Sequence, residues 1–338
     1  MPTQENTTSD TDAVADRWQE FYLRLEENAK RLTDPATGLV KQSLVREIPC
    51  PHCGSVVYST LVVKQGFRYV TCSACGFVFV NPQLREEVIK NVYNDDSVRR
   101  YFFTEMLLPF VERDQRPEFQ GRVSRLMQLA GTPHPRLLDI GCAAGNFMMV
   151  AQEAGCLVEG IELNDLYIDF IRQHRALDVH ARPLEAVGFP ANHFEVVTLW
   201  DVLEHLPQPQ SILREVFRIL KPGGIVAAST INHACLNAKL LKDRWRYFQP
   251  PDHLCSFTPA LIRTMFREAG FETQSLEHHY MLEVLQDGLF RQRGKRRGWL
   301  ATKFTKVARL VFTKAGEAIL EPLRQGDLIT IYARKAAR

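Results

Sequence analysis

Apolar positions along the chain follow two different periods, and the changes between them divide it. From about Ala15 to Leu32, the residues Trp18, Phe21, Tyr22, Leu25 and Leu32 recur at helical spacing among Glu, Arg and Lys. That stripe predicts an amphipathic helix packed on its own domain or on a second copy. Residues 1–14 before it are polar and expected to be disordered. Between 48 and 80 the pattern shortens to alternation, as in Phe67-Arg68-Tyr69-Val70, in a stretch rich in Gly, Cys and aromatic residues, so short strands are expected. Residues 83–130 return to helical spacing with a break near Pro117. After Pro133 and Pro135 the pattern is strand, Gly-rich turn, helix, strand, repeated to the C-terminus. Such alternation signals a parallel sheet covered by helices.

Composition narrows the class. The 338 residues are about twice the ~150 of an average domain, which suits one large unit and a small one. With 45% apolar and 24% charged residues, a mostly disordered or fibrous chain is excluded. No apolar run approaches the ~18–20 residues of a membrane span, and the polar start has no basic-then-apolar leader. A cytoplasmic location is therefore expected, with the eight cysteines read as thiols or metal ligands. The net charge of +3 hides an asymmetry: Arg291 to Lys314 carries nine Lys or Arg and no acid, which leaves −6 for the rest.

Cys50-Pro-His-Cys53 and Cys72-Ser-Ala-Cys75 form C-x2-C-x18-C-x2-C. Each pair spans one edge of a metal from a tight turn, and four thiolates complete a closed tetrahedral zinc shell. Gly54 and Gly76, just after the second cysteine of each pair, suit the turns that aim the sulfurs inward. Four sulfurs leave no open position for water, so a structural zinc ribbon is expected, with a structural or substrate-lid role.

The stretch Arg136-Leu-Leu-Asp139-Ile-Gly141-Cys-Ala143-Ala-Gly145-Asn-Phe147 reads as a strand ending in an acid, a small-residue turn, and a helix closed at Gly155. Cys156 to Glu162 reads as a second strand, again with an acid at its end. In doubly wound folds the first turn brings the backbone close to a ligand, and an acid about 20 residues on holds ribose hydroxyls. A dinucleotide fold needs G-x-G-x-x-G, which Gly141, Ala143 and Asn146 match poorly. The carboxylate of Asp139 repels phosphate and attracts an ammonium group.

These residues resemble the S-adenosylmethionine-dependent class I methyltransferases, whose pattern is roughly L-D-I-G-C-G-x-G-x-F followed by V-x-G-x-E. Later marks agree: Phe194 to His205 for the fourth strand and its turn, Leu220-Lys-Pro-Gly-Gly224 before the fifth, and Ala269-Gly-Phe271 with Asp327 to Lys335 for a closing antiparallel pair. The resemblance implies a doubly wound, mostly parallel seven-stranded α/β sheet. It also implies that Asp139 contacts the methionine ammonium, directly or through water, Gly141 and Gly145 give close backbone approach, and Glu162 holds both ribose hydroxyls. Leu163 and Leu184-Glu185 would flank the adenine, with Asp201 beside the sulfonium. Ala143 stands where the family usually has glycine, and its methyl group is expected to require negative φ.

Two candidates face the acceptor. Asp201-x-x-Glu204-His205 resembles an acid-x-x-Glu-His set of the ubiquinone-pathway O-methyltransferases that is associated with magnesium. In a helical turn Asp201 and Glu204 would share a face, and with His205 they make a divalent-ion candidate. Pro251-Asp252-His253-Leu-Cys-Ser-Phe257 resembles the E-H-x-x-x-F segment of zinc-ribbon sugar C-methyltransferases, which implies His253 as a base, with Asp252 in the place of Glu. Trp245, Arg246, Tyr247 and Phe248 before it would form an aromatic, cationic pocket wall.

The chain is thus expected to hold a tail and helix over 1–46, a zinc ribbon over 47–82, a helical linker over 83–133, and a methyltransferase domain over 134–338. A basic helical insertion is expected over about 280–326, with 291–314 touching a membrane surface or a phosphate-bearing acceptor. The expected activity is methyl transfer from S-adenosylmethionine to oxygen on a small molecule. Alternatives are C-methylation of a nucleotide sugar, RNA methylation, or a non-catalytic cofactor-binding subunit. A single basic run without a base-stacking surface argues against nucleic acid as partner.

Overall fold

A computed structural model of the chain describes residues 7–89, 97–111, 115–281, 284 and 325–336. The basic insertion expected around 291–314 lies outside the described residues. The longer helices are α1 Thr7–Leu32, α2 Arg116–Ala130, α3 Asn146–Glu153, α4 Asp165–His174, α5 Pro209–Ile219 and α6 Pro259–Glu268. In chain order the strands are β1 Tyr58–Lys64, β2 Phe67–Cys72, β3 Val78–Val80, β4 Arg136–Ile140, β5 Leu157–Ile161, β6 Asp178–His180, β7 Phe194–Trp200, β8 Leu220–Ile231, β9 Cys255–Ser256, β10 Phe271–His279 and β11 Leu328–Lys335. A two-residue pair, Val45–Arg46 with Gln83–Leu84, closes off the ribbon region.

Helix α1 begins at Thr7, inside the segment expected to be disordered through 14. Once a helix is nucleated, each further turn costs little, so the helix runs on into the polar segment. Its apolar stripe meets the same chain: Phe21 and Leu25 pack with Val98 and Phe102. Helix α2 starts at the expected break, with Pro117 in its first turn, where a missing N–H costs nothing.

The main sheet has the order β10-β11-β8-β7-β4-β5-β6. The neighbours from β8 to β6 are parallel, and β11 runs antiparallel to β8 and β10. This is the expected seven-stranded, doubly wound sheet. Burial explains the local sequence, since Ile225 to Ile231 of β8 are all buried, as a strand covered on both faces requires. Helix α5 buries Gln210, Leu213, Val216 and Ile219, one side of the helix. The chain moves outward through β4, β5 and β6, then returns to β7 on the other side of β4. That reversal opens a crevice beyond the carboxyl ends of β4 and β7.

The ribbon is joined to this domain. Strand β9 completes the ribbon sheet in the order β9-β3-β2-β1, pairing Cys255 with Phe79 and Ser256 with Val78. Val80 N–H donates to the Leu254 carbonyl at 2.8 Å. Phe77 and Phe79 share one core with β7 and α6. Trp245 and Phe248, expected as a pocket wall, are instead buried against the ribbon, and Trp245 Nε1 donates to buried Asp327 at 2.9 Å. They anchor the loop, the rings packed on the ribbon core and the indole N–H paired with a buried carboxylate. No helix among the described residues is long and apolar enough to cross a membrane.

Candidate functional site

The crevice is lined from both sides of the reversal. At the end of β4, Asp139 is 2% exposed and accepts a 2.6 Å hydrogen bond from Thr198 Oγ1 on β7. Burial pushes its carboxyl up to about 7, and the charge of Glu162 adds to this; the Thr198 hydroxyl and the Arg122 guanidinium oppose it. The turn that follows has three left-handed residues, Gly141 (φ 74°), Ala143 (φ 47°) and Gly145 (φ 77°). The expectation of negative φ at Ala143 is corrected here. The strained conformation is held because Ala143 N–H donates to Glu162 Oε2 at 2.9 Å. A Cβ on Gly141 would lie 2.6 Å from Val202 Cγ2, and one on Gly145 2.7 Å from Leu177 Cδ1, so packing as well as φ demands glycine at both.

Glu162, at the end of β5, ties this turn to the next. Besides Ala143 it accepts from the backbone N–H groups of Leu163 (2.7 Å) and Asn164 (2.8 Å). Burial raises its pKa, and these three donors oppose the rise. A carboxylate has about four lone-pair sites, so about one remains for a ligand hydroxyl. Leu163 is 61% exposed beside it, whereas Leu184 is packed in the main core and Glu185 is exposed. Asp201, just past β7, has φ 55°, and its Oδ1 accepts from Ser229 Oγ at 2.7 Å.

Beyond Asp201 the chain makes a single 3-10 turn, Leu203–His205, and not the longer helix that would bring Asp201 and Glu204 onto one face. The carboxylate of Asp201 is instead tied to Ser229. The expected grouping of Asp201 with Glu204 and His205 therefore gives way to another: Glu204, His205 and His253 offer ligand atoms within 4.8 Å of one another. The two imidazoles meet edge to face, centroids 4.8 Å apart. The two acceptor candidates thus form one cluster. His205 Nδ1 pairs with the Asp252 carbonyl at 2.9 Å, and His253 Nδ1 with the Tyr247 carbonyl at 2.7 Å. A carbonyl only accepts, so each Nδ1 carries the proton and each Nε2 a lone pair. Asp252 does not orient the His253 ring; its carboxylate faces Arg99 at 3.5 Å.

Burial sets the charges of this cluster. His253, 8% exposed, is lowered to about 3 by burial and by the neighbouring His205, so it is neutral. His205 is lowered by burial, against the opposing charge of Asp252. Glu204, 1% exposed, is raised to about 8 by burial and by the charge of Asp201, with Thr230 Oγ1 donating to it at 2.8 Å.

Comparison with known proteins decides the family. A family profile described as a methyltransferase domain matches residues 110–276. The chain is 33% identical over 159 residues to the ubiquinone biosynthesis O-methyltransferase of Aromatoleum aromaticum, covering 44% of this chain and 68% of that one. The chain belongs to the S-adenosylmethionine-dependent methyltransferase family. The enzyme of the same description from Thiobacillus denitrificans is 31% identical over 153 residues, 42% of this chain and 66% of that one. The chain spans about half to two thirds of the length of the curated relatives it matches. A methyltransferase structure from Thermotoga maritima aligns with TM-score 0.46 and 15% identity over 74% of this chain and 98% of that one.

In the ribbon the four sulfurs lie within 4.8 Å of one another, with Cys50 Sγ 3.6 Å from Cys75 Sγ and Cys53 Sγ 3.5 Å from Cys72 Sγ. Zinc at about 2.3 Å from each sulfur sets tetrahedral edges of about 3.8 Å, so the cluster is compatible with zinc. The two pairs share one turn: Gly54 N–H donates to the Cys50 carbonyl and Gly76 N–H to that of Cys72, both at 2.9 Å. Burial pushes the Cys50 thiol up to about 11. Burial also raises Cys72, but the backbone N–H groups of Cys75 and Ala74 and the neighbouring thiols bring it down to about 7.

Several site residues were not singled out from the sequence. Thr198, Ser229 and Thr230 each bond an acid of the site, and their signal was available as polar residues inside apolar strands. Tyr69 donates its hydroxyl to the His253 carbonyl at 2.7 Å across 184 residues, and Arg99 reaches Asp252; neither carries a local signal.

Proposed function

We propose that the protein transfers the methyl group of S-adenosylmethionine to an oxygen of a small-molecule acceptor. The observation that carries this is one juxtaposition across the sheet reversal: the turn between Asp139 and Glu162 on one side, the buried Glu204–His205–His253 cluster on the other. Asp139 takes the ammonium of the cofactor, Glu162 a ribose hydroxyl, and Leu163 an adenine face, with Gly141, Ala143 and Gly145 shaping the approach and Asp201 near the sulfonium. Leu184, within the core, and Glu185 complete the adenine side. Zinc held by Cys50, Cys53, Cys72 and Cys75 keeps the ribbon sheet, and through β9 the His253 loop, in place.

Methyl transfer to a hydroxyl is an in-line displacement that needs the hydroxyl proton removed as the new O–C bond forms. The cluster presents two neutral imidazole lone pairs and a carboxyl group. That donor set selects an O–H group or a cation, and either would activate the acceptor oxygen there.

Incubation of the zinc-loaded protein with methyl-labelled cofactor and a panel of phenols, catechols and nucleotide sugars tests the reading. Label recovered as a methyl ether is the expected result. Label on carbon, or in RNA offered alongside, overturns the oxygen assignment.

A further inference from the structure

The buried cluster has too many acceptors for its donors. Glu204 and His253 are both more than nine-tenths buried. Both rings spend their N–H on main-chain carbonyls, the Asp252 carbonyl at 2.9 Å and the Tyr247 carbonyl at 2.7 Å. Neither Nε2 has a hydrogen-bond partner among the described residues, and the only side-chain donor to Glu204 is Thr230. An imidazole whose other nitrogen is fixed by a backbone carbonyl is the arrangement that orients a histidine towards a metal.

We infer that Glu204, His205 and His253 form a divalent-cation site, a two-histidine, one-carboxylate set with positions left open for acceptor oxygens. The inference rests on reading the cluster as the acceptor site and deepens it. It departs from the ligand set that the Asp201-x-x-Glu204-His205 spacing implied. Asp201 Oδ1 is taken by Ser229 and stands outside the 4.8 Å group, and His253, 48 residues further along the chain than His205, supplies the third ligand. The chemistry of the donors also changes the ion. Two imidazoles and one carboxylate suit manganese, iron, cobalt or zinc, whereas magnesium prefers oxygen ligands and its own waters. An ion there would acidify a hydroxyl bound to it.

Because the ribbon takes zinc through sulfur, the second site is tested with manganese. The full chain, brought to one zinc per chain by elemental analysis so that zinc does not fill the second site, is titrated with Mn²⁺ and followed by electron paramagnetic resonance, with zinc measured again afterwards. The expected result is one Mn²⁺ per chain with ribbon zinc retained. Affinity should be at least about tenfold weaker in both His253→Ala and His253→Gln, since loss of a mere outer partner already costs about 10–100-fold. Asp201→Asn should bind like the wild type. Urea unfolding of each variant serves as the check of folding, and the glutamine variant stands in if the alanine variant fails it. No Mn²⁺ uptake at millimolar concentration overturns the site, and so does loss on Asp201→Asn with retention in both His253 variants. If Mn²⁺ binds as expected but no acceptor is ever methylated, the metal site stands and the reading of it as an acceptor site falls.

Discussion

Replacing Asp139 with Asn should stabilise the cofactor-free protein, increasingly so as pH rises. The carboxyl is 2% exposed, meets one hydroxyl donor, and is pushed from 3.8 to about 7 by burial. That difference corresponds to about 4 kcal/mol between protonation states, at about 1.4 kcal/mol per pH unit. The sign follows from proton binding. Between about 4 and 7 the folded chain keeps the Asp139 proton that the unfolded chain has lost. The stabilising share of this group is therefore fully present below about 4 and is lost as pH rises through about 7. Asn is nearly isosteric, can still accept from Thr198, and has no charge to bury. The advantage of Asp139→Asn over the wild type should be about 2 kcal/mol larger at about pH 8 than at about pH 5.5. Urea unfolding of both proteins at the two pH values measures it, and offsets unrelated to ionisation cancel in the difference. The same substitution should weaken S-adenosylhomocysteine binding, because the ammonium loses its carboxylate. An advantage equal at both pH values, or larger at the lower one, would refute the burial argument.

Three further outcomes are expected. Tyr69→Phe leaves the buried His253 carbonyl without its donor and should cost about 1–3 kcal/mol of stability in urea unfolding; a change within experimental error would mean the bond is not made in solution. Gly160→Ala places a Cβ 2.6 Å from Met148 Sδ and 2.8 Å from Cys142 Sγ beneath the cofactor turn. This overpacking should cost about 1–3 kcal/mol, read as a lowered melting temperature. Cys72→Ser should remove the ribbon zinc and, because β9 belongs to the ribbon sheet, speed hydrogen exchange at the Val80 and Leu254 amides; unchanged exchange there would show the His253 loop to be independent of the metal.

What could be read from the sequence was local. C-x2-C pairs, the strand-acid-glycine turn at Asp139 and the acid at Glu162 announce themselves because each depends on residues within one turn. The parallel sheet was legible for the same reason, through runs such as Ile225 to Ile231. The acceptor site was not, because it is assembled by long-range contacts. His253 reaches Glu204 and His205 only through a loop held by Tyr69 and Val80 of the ribbon and anchored by Trp245 on Asp327. Spacing suggested that Asp201 would join Glu204, but a left-handed Asp201 and its bond to Ser229 turn the carboxylate aside. Ala143 shows a related limit. Its positive φ is imposed by the Glu162 carboxylate and not by its own preference.

The central claim is that the crevice between β4 and β7 holds S-adenosylmethionine, with Glu162 as an anchor. Calorimetric titration of S-adenosylhomocysteine into the zinc-loaded protein tests it most directly. The account predicts one site per chain, weakened by about 1–3 kcal/mol in Glu162→Ala through loss of a charged hydrogen-bond acceptor, and unchanged in His253→Gln. Binding of NAD in its place, or affinity for S-adenosylhomocysteine that survives Glu162→Ala intact, would contradict it.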